Sequence, residues 1–246
     1  MENDLIESLF DHMDELRNLP DYQLERRAEI FFYLFLPSIL EEKFKTSFKE
    51  PIIPEFPVKI DLIKKEPEKK DSNHSIKIDY FAITNNTNDA RRAFFIELKT
   101  DGNSIDPKQS RNLLETCNNN LSVLLDGVLK IAPNSSQKRK YLYLISRLAE
   151  LDLFDKMPNT LDGIRKNDTL HGMSEELRKI VIKEELEELM PEPVYILPNN
   201  KVATDDAFEI ITFEEVRKAL KELQHPIPKR FVTSLEHWDK IEAGKR

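Results

Sequence analysis

The sequence predicts an α/β protein in which helices flank a central sheet. Two long segments carry apolar residues at helical spacing, at residues 2–17 and 21–48. Three segments rich in apolar and aromatic residues follow, at 58–63, 75–83 and 91–100, and they have the lengths of strands. Helices followed by a run of strands, and then by a mixture of both, are typical of an α/β fold.

The two N-terminal helices are separated by a break at Pro20. The second helix has a wide apolar stripe, and Pro37 within it predicts a kink. The segment 51–57 contains three prolines, so a regular helix is excluded there. The first predicted strand, 58–63, therefore begins directly after this segment.

The predicted strands at 75–83 and 91–100 are joined by a short segment dense in turn-forming residues, 84–89. A helix is predicted over 106–130, with Asp106 as its N-cap and Pro107 at its first position. A buried strand is predicted at 140–147. Beyond it the sequence predicts an amphipathic helix, two short strands and a second helix, at 174–190, 194–197, 208–213 and 213–223.

Composition excludes several classes of protein. The five glycines of this 246-residue chain are isolated, so neither a Rossmann nor a P-loop nucleotide site is expected. A single cysteine, Cys117, excludes an intramolecular disulfide and a cysteine-based zinc site. The net charge of −8 argues against indiscriminate binding of polyanions, although a local basic site remains possible.

The N-terminus is acidic and does not read as a signal peptide. The longest apolar run, 30–40, is too short to cross a bilayer and is interrupted by Pro37. We therefore expect a cytoplasmic protein with no membrane partner.

Charged residues interrupt two of the predicted strands. Asp79 lies within one apolar strand and Glu97 and Lys99 within the next, where Glu97 and Lys99 project from one face and Leu98 from the other. Charged groups in such strands generally have a partner or a metal. A short turn would bring Asp79 beside Glu97, and their carboxylates, with the Leu98 carbonyl, would suit Mg²⁺ or Mn²⁺. A bound metal would activate water and stabilise charge on a phosphate, with Lys99 assisting. The alternative is a same-face ion pair of Glu97 with Lys99 and a solvated Asp79.

The arrangement Asp79…Glu97-x-Lys99, after a helix and before another helix and strand, resembles the PD-(D/E)xK nuclease superfamily. The resemblance covers roughly 21–147. It implies a restriction-endonuclease-like core of order α-β-β-β-α-β, with a central mixed sheet flanked by helices. It also implies Mg²⁺-dependent hydrolysis of phosphodiester bonds, in which Asp79 and Glu97 bind the metal and Lys99 is catalytic.

Members of this superfamily often add a glutamate from the first core helix and a glutamine from the helix after the lysine. Glu29 matches the glutamate because it falls between Leu36 and Leu40 on the helical wheel, and Glu25 is the second choice. Gln109 matches the glutamine.

The sequence thus predicts three regions: an N-terminal helical extension, 1–20; a nuclease-like core, 21–147; and a C-terminal α/β elaboration packed on the core, 148–246. The expected partner is nucleic acid, with DNA favoured over RNA, and a homodimer is left open. The rival interpretation is an inactive module of the same fold that binds nucleic acid or a protein. The nuclease interpretation treats Lys99 as an exposed residue whose replacement by alanine keeps the fold.

Overall fold

A computed structural model of the chain describes residues 2–19, 22–64, 74–85, 90–101, 105–159, 172–198 and 207–244. The helices of these ranges are α1 (Glu2–Leu16), α2 (Leu24–Phe44), α3 (Pro107–Cys117), α4 (Leu121–Ile131), α5 (Lys138–Glu150), α6 (Met173–Leu177), α7 (Phe213–Lys221) and α8 (Pro226–Gly244). The strands are β1 (Ile53–Lys59), β2 (Ser75–Ile83), β3 (Ala93–Leu98), β4 (Phe154–Lys156), β5 (Val181–Ile182), β6 (Glu192–Leu197) and β7 (Glu209–Thr212).

Five of the strands form one sheet in the order β1-β2-β3-β6-β7, and β4 pairs with β5 in a separate two-stranded sheet. The β1 and β2 strands are antiparallel, whereas β6 and β7 are parallel. The sheet is therefore mixed, which confirms the predicted α/β class with a central mixed sheet and flanking helices.

The chain divides into two compact units. The first unit comprises Met1–Phe48, Ile96–Pro107 and Val194–Arg246. The second unit comprises Lys49–Phe95 and Lys108–Pro193.

An aromatic cluster forms the core of the first unit. The Phe231 ring of α8 lies 5.1 Å from Phe32 and 5.6 Å from Phe31, both of α2, measured between centroids. Phe10 of α1 and Trp238 of α8 extend the cluster, and both are fully buried. The C-terminal helix thus completes the core around α2, which positions the beginning of α2 for the site described below.

The second unit is built on the hairpin of β1 and β2. The rings of Phe56, Phe81 and Phe95 pack together with centroids 5.1–5.3 Å apart. Helices α4 and α5 pack against β1. Its register pairs Pro54 with Tyr80 and Phe56 with Ile78.

The first strand begins earlier than predicted, at Ile53 instead of residue 58, and Ile60–Leu62 form a 3₁₀ turn. The β1 strand lies at one edge of the five-stranded sheet. Its prolines are tolerated there, because an edge strand can lack N–H donors on its outer side. The predicted helix 106–130 is two helices, α3 and α4. Asn120 separates them and caps α4 by accepting a hydrogen bond from the Val123 N–H, 2.9 Å long.

The predicted strand 140–147 is wrong, because this segment lies within α5. Its buried residues Tyr141, Leu142, Ile145 and Leu148 follow helical spacing. The strand next to β3 is instead β6, which contains the predicted strand 194–197. The next predicted elements, 208–213 and 213–223, are confirmed as β7 and α7.

The predicted helix 174–190 is also wrong, because the helix α6 ends at Leu177. Val181 and Ile182 form β5, and a 3₁₀ turn follows at Glu184–Glu187. Two adjacent β-branched residues favour a strand here over the continuation of the helix.

Candidate active site

The two charged residues that the sequence places at the end of β3 are both buried. Glu97 is 1% exposed and Lys99 is 4% exposed. The Lys99 backbone N–H donates to the Ile196 carbonyl, 2.9 Å away, so the pairing with β6 continues one residue beyond β3. This pairing fixes both residues in extended geometry, and their side chains project from the same face as predicted. The expectation that Lys99 is exposed is wrong, because β3 and its continuation lie inside the sheet.

The Lys99 ammonium lies between two carboxylates of the first unit. Its Nζ is 3.1 Å from Oε1 of Glu25, a hydrogen-bonded contact, and 4.0 Å from Oε2 of Glu97. We refer to Glu25, Glu97 and Lys99 as the carboxylate–lysine cluster. Glu97 belongs to β3, Glu25 to the first turn of α2, and Lys99 follows β3 directly.

The helix that supplies Glu25 begins without a side-chain cap, since Gln23 at the N-cap makes no such hydrogen bond. A carboxylate in the first turn is favoured there by the helix dipole. The Glu25 side chain is 35% exposed, so the cluster has one deeply buried and one partly solvated carboxylate. That combination gives a site that is preorganised on one side and open to solvent on the other.

Glu29, the preferred helix carboxylate of the sequence, lies one turn further along α2 and is half-buried. Among the described contacts of Lys99, the helix carboxylate is Glu25, the second choice. One helical turn separates Glu25 from Glu29, so both lie on the same side of α2, and the wheel position that favours Glu29 does not decide which carboxylate reaches Lys99. A role for Glu29 stays a prediction.

Asp79 and Gln109 belong to the second unit. Asp79 is half-buried in the middle of β2, the strand predicted at 75–83. Gln109 is half-buried in the first turn of α3, where the sequence places it. Their part in the site, including the predicted approach of Asp79 to Glu97, stays a prediction. Leu98 belongs to the first unit, and its side chain is fully buried on the opposite face of β3.

The donor set of the cluster suits a hard divalent cation. Glu25 and Glu97 supply carboxylate oxygens, and Mg²⁺ sites commonly use one or two carboxylates and keep several waters. Within the described ranges, no three His, Cys, Asp or Glu side chains form a group able to hold a metal. The two carboxylates of the cluster therefore form a partial ligand set, and Lys99 balances part of their charge.

A pocket of about 580 Å³ opens beside Glu25 in the first unit. Its lining includes Arg17, Tyr22, Gln23, Glu25, Arg26 and Asp101. Of these residues the sequence points only to Glu25, because the others come from the region around Pro20, from the start of α2 and from the segment after Lys99. No periodic pattern connects two segments so far apart in the chain.

The described part of the chain contains no helix long and apolar enough to span a membrane. Comparison with protein-family models, with curated proteins and with solved structures found no match to this chain.

Proposed function

We propose that this protein is a metal-dependent nuclease that hydrolyses phosphodiester bonds of nucleic acid, with DNA as the first substrate to test. The main support for this proposal is the carboxylate–lysine cluster, in which a buried lysine contacts two carboxylates at the end of a sheet strand. This cluster supplies both the hard oxygen donors and the cation that phosphodiester hydrolysis requires. The resemblance of Asp79…Glu97-x-Lys99 to the PD-(D/E)xK pattern supports the same reaction.

In this proposal Glu97 and Glu25 hold Mg²⁺ or Mn²⁺, with the Leu98 carbonyl and Asp79 as the further predicted ligands. The ion, when bound, lowers the pKa of a water and neutralises charge on the phosphate. Lys99 donates from its ammonium to the attacking water or to a phosphate oxygen, and its burial keeps that ammonium in place. Gln109 and Glu29 are predicted to support the site.

Cleavage assays test the proposal. Supercoiled plasmid and labelled single and double strands are incubated with the wild-type chain in Mg²⁺, Mn²⁺ or EDTA. We expect cleavage in either metal and none in EDTA. Glu97→Gln should reduce the rate by about 100-fold or more, the usual effect of removing a group that stabilises the transition state.

The matched control for this assay is Glu214→Gln, since Glu214 is an exposed acid in the first turn of α7. Its activity should equal that of the wild type. Cleavage that survives EDTA, or that Glu97→Gln leaves unchanged, would overturn the proposal.

One observation favours a second candidate, a nuclease-fold module without activity that binds nucleic acid or a protein. The described residues hold no group of three metal-ligating side chains, and Lys99 already lies within 4.0 Å of both carboxylates. Such a cluster can act as a structural ion-pair network. Calorimetric titration with Mn²⁺ separates the two candidates: binding that Glu97→Gln abolishes supports the nuclease, and no binding supports the inactive module.

A cytoplasmic location and a homodimer stay predictions.

A further inference from the structure

The pocket beside the carboxylate–lysine cluster has the size and composition of a ligand site. Its volume of about 580 Å³ lies within the usual range of small-molecule pockets, roughly 300–1,000 Å³. Its described lining includes residues whose side chains carry a guanidinium group, an aromatic ring or an amide: Arg17 and Arg26, Tyr22, and Gln23. These are the groups that bind phosphate, stack on a base and pair with a base edge.

The charged residues of the lining are two arginines and two carboxylates. Glu25 lines the pocket, but its carboxylate already contacts the Lys99 ammonium at 3.1 Å. The other charged residues of the lining are Arg17, Arg26 and Asp101. The Arg17 guanidinium lies over the Trp238 ring, with its central carbon 5.9 Å from the ring centroid, so Arg26 is the cation of the lining that the proposal uses. Arg26 is exposed, so its guanidinium is accessible to a ligand.

The pocket is continuous with the proposed reaction centre through two connections. Glu25 belongs to both the pocket and the carboxylate–lysine cluster. Thr100 and Asp101, which line the pocket, follow Lys99 directly in the chain. A group bound in the pocket would therefore be a near neighbour of a phosphate held at Lys99.

We propose that this pocket binds one unpaired nucleotide that flanks the scissile phosphate, so that the protein acts on unpaired strands or on a nucleotide turned out of a duplex. This inference rests on the proposed function. A duplex presents stacked and paired bases, which cannot enter a pocket of this size, whereas an extruded nucleotide can. Tyr22 provides the stacking surface, Arg26 contacts a phosphate, and Gln23 pairs with the base edge.

Fluorescence anisotropy with a labelled oligothymidylate in EDTA tests the inference without any cleavage. Stacking on an aromatic side chain typically strengthens binding by about tenfold per base or more. We expect Tyr22→Ala to weaken binding by about tenfold, and Arg26→Ala to weaken it severalfold. The same oligonucleotide annealed to its complement should bind more weakly than the single strand.

Two matched controls separate the pocket from general surface effects. Arg27→Ala removes an exposed arginine next to Arg26 that does not line the pocket. Tyr143→Ala removes a tyrosine that is 58% exposed on α5. Both should bind as the wild type does. The inference is overturned if Tyr22→Ala and Arg26→Ala bind like these controls, or if the duplex binds as tightly as the single strand.

A further arm distinguishes a nucleotide within a strand from a free nucleotide. Thymidine 5′-monophosphate should compete only weakly with the oligonucleotide, because it lacks the neighbouring phosphates. Complete competition at equal concentrations would instead assign the pocket to a free nucleotide and overturn the inference as stated.

The binding and cleavage assays together distinguish an error in the pocket assignment from an error in the proposed nuclease activity. Metal-dependent cleavage by the wild type, with unchanged binding by the pocket variants, would leave the nuclease intact and reject the pocket. Binding that depends on Tyr22 and Arg26, without cleavage in any metal, would support the pocket and reject the nuclease.

Discussion

Lys99 is the central residue of the proposed site. An ammonium that is 4% exposed must be compensated, and the described structure compensates it with Glu25 and Glu97. The Glu97 side chain is also buried, at 1% exposure, and this ammonium, 4.0 Å from its carboxylate, is its described ionic partner.

Replacing Lys99 by methionine should lower the free energy of unfolding by about 3 kcal/mol, because it leaves the Glu97 carboxylate buried without this cation. Chemical denaturation of the wild type and of Lys99→Met measures the difference. Lys229→Met is the control, since Lys229 is exposed on α8. Equal stability of the two variants would show that the cluster contributes nothing to folding.

At the residue scale the sequence predicted which charges share a face but not how deeply they are buried. Period-two geometry places Glu97 and Lys99 together whatever the fold around them. Their burial depends on β6, which lies nearly 100 residues away in the chain and which no local pattern identifies as the neighbour of β3. The pairing of Lys99 with Glu25 similarly depends on how the start of α2 is placed, which no local pattern specifies.

At the scale of secondary-structure elements, α1 and α8 are joined by a network of charged and polar groups. The Arg230 guanidinium contacts Asp11 at 2.6 Å and Asp14 at 3.1 Å. Asp14 also accepts hydrogen bonds from the Ser234 hydroxyl at 2.9 Å and the Trp238 indole at 2.6 Å. One carboxylate of α1 thus satisfies three donors of α8.

Asp14→Ala should therefore destabilise the protein by about 3 kcal/mol, because it leaves the buried indole N–H of Trp238 and the Arg230 guanidinium without this acceptor. Thermal unfolding checks this prediction, with Glu15→Ala as control because Glu15 is the exposed neighbour on α1. A melting temperature shared by both variants would contradict the role given to Asp14.

The hydrogen bonds of Glu215 at the start of α7 make the free energy of unfolding depend on pH. Burial by itself raises the pKa of Glu215, but hydrogen bonds from the Thr212 N–H and the Lys43 ammonium outweigh it. The folded-state pKa of Glu215 is therefore below its ordinary value of 4.5. A lowered pKa contributes stability that is present above the unfolded value and is lost as the pH falls through the folded one.

We expect the wild type to lose more unfolding free energy than Glu215→Gln between about pH 6 and about pH 3, since the amide does not titrate. Denaturant titrations across this range measure the difference, and Glu214→Gln serves as the exposed control. Parallel pH profiles for wild type and Glu215→Gln would contradict the assignment.

The strand with strict alternation is predicted well, whereas elements whose type or length depends on tertiary contacts are not. The alternating segment 75–83 is β2 with the same bounds. The apolar and aromatic residues of 140–147 predict a strand, although Tyr141, Leu142, Ile145 and Leu148 follow the helical period. A short apolar run fits either period, and the charged residues flanking it did not resolve the choice.

At the scale of the whole molecule, binding of a metal to the folded state must raise global stability. At an Mn²⁺ concentration about 100 times the dissociation constant, linkage adds about 2.7 kcal/mol to the free energy of unfolding. We therefore expect a higher melting temperature of the wild type in Mn²⁺ than in EDTA. The shift should vanish in Glu97→Gln and persist in Glu214→Gln. A shift shared by all three proteins would indicate binding outside the cluster.

The role of Lys99 in a nuclease site is tested most sharply by the rate of plasmid cleavage in Mg²⁺ by the wild type and by Lys99→Met, each first shown to be folded by circular dichroism. We expect metal-dependent cleavage by the wild type and a rate lower by about 100-fold or more in Lys99→Met, because the lost ammonium stabilises charge at the reacting phosphate. Cleavage by Lys99→Met at the wild-type rate would exclude this role of Lys99.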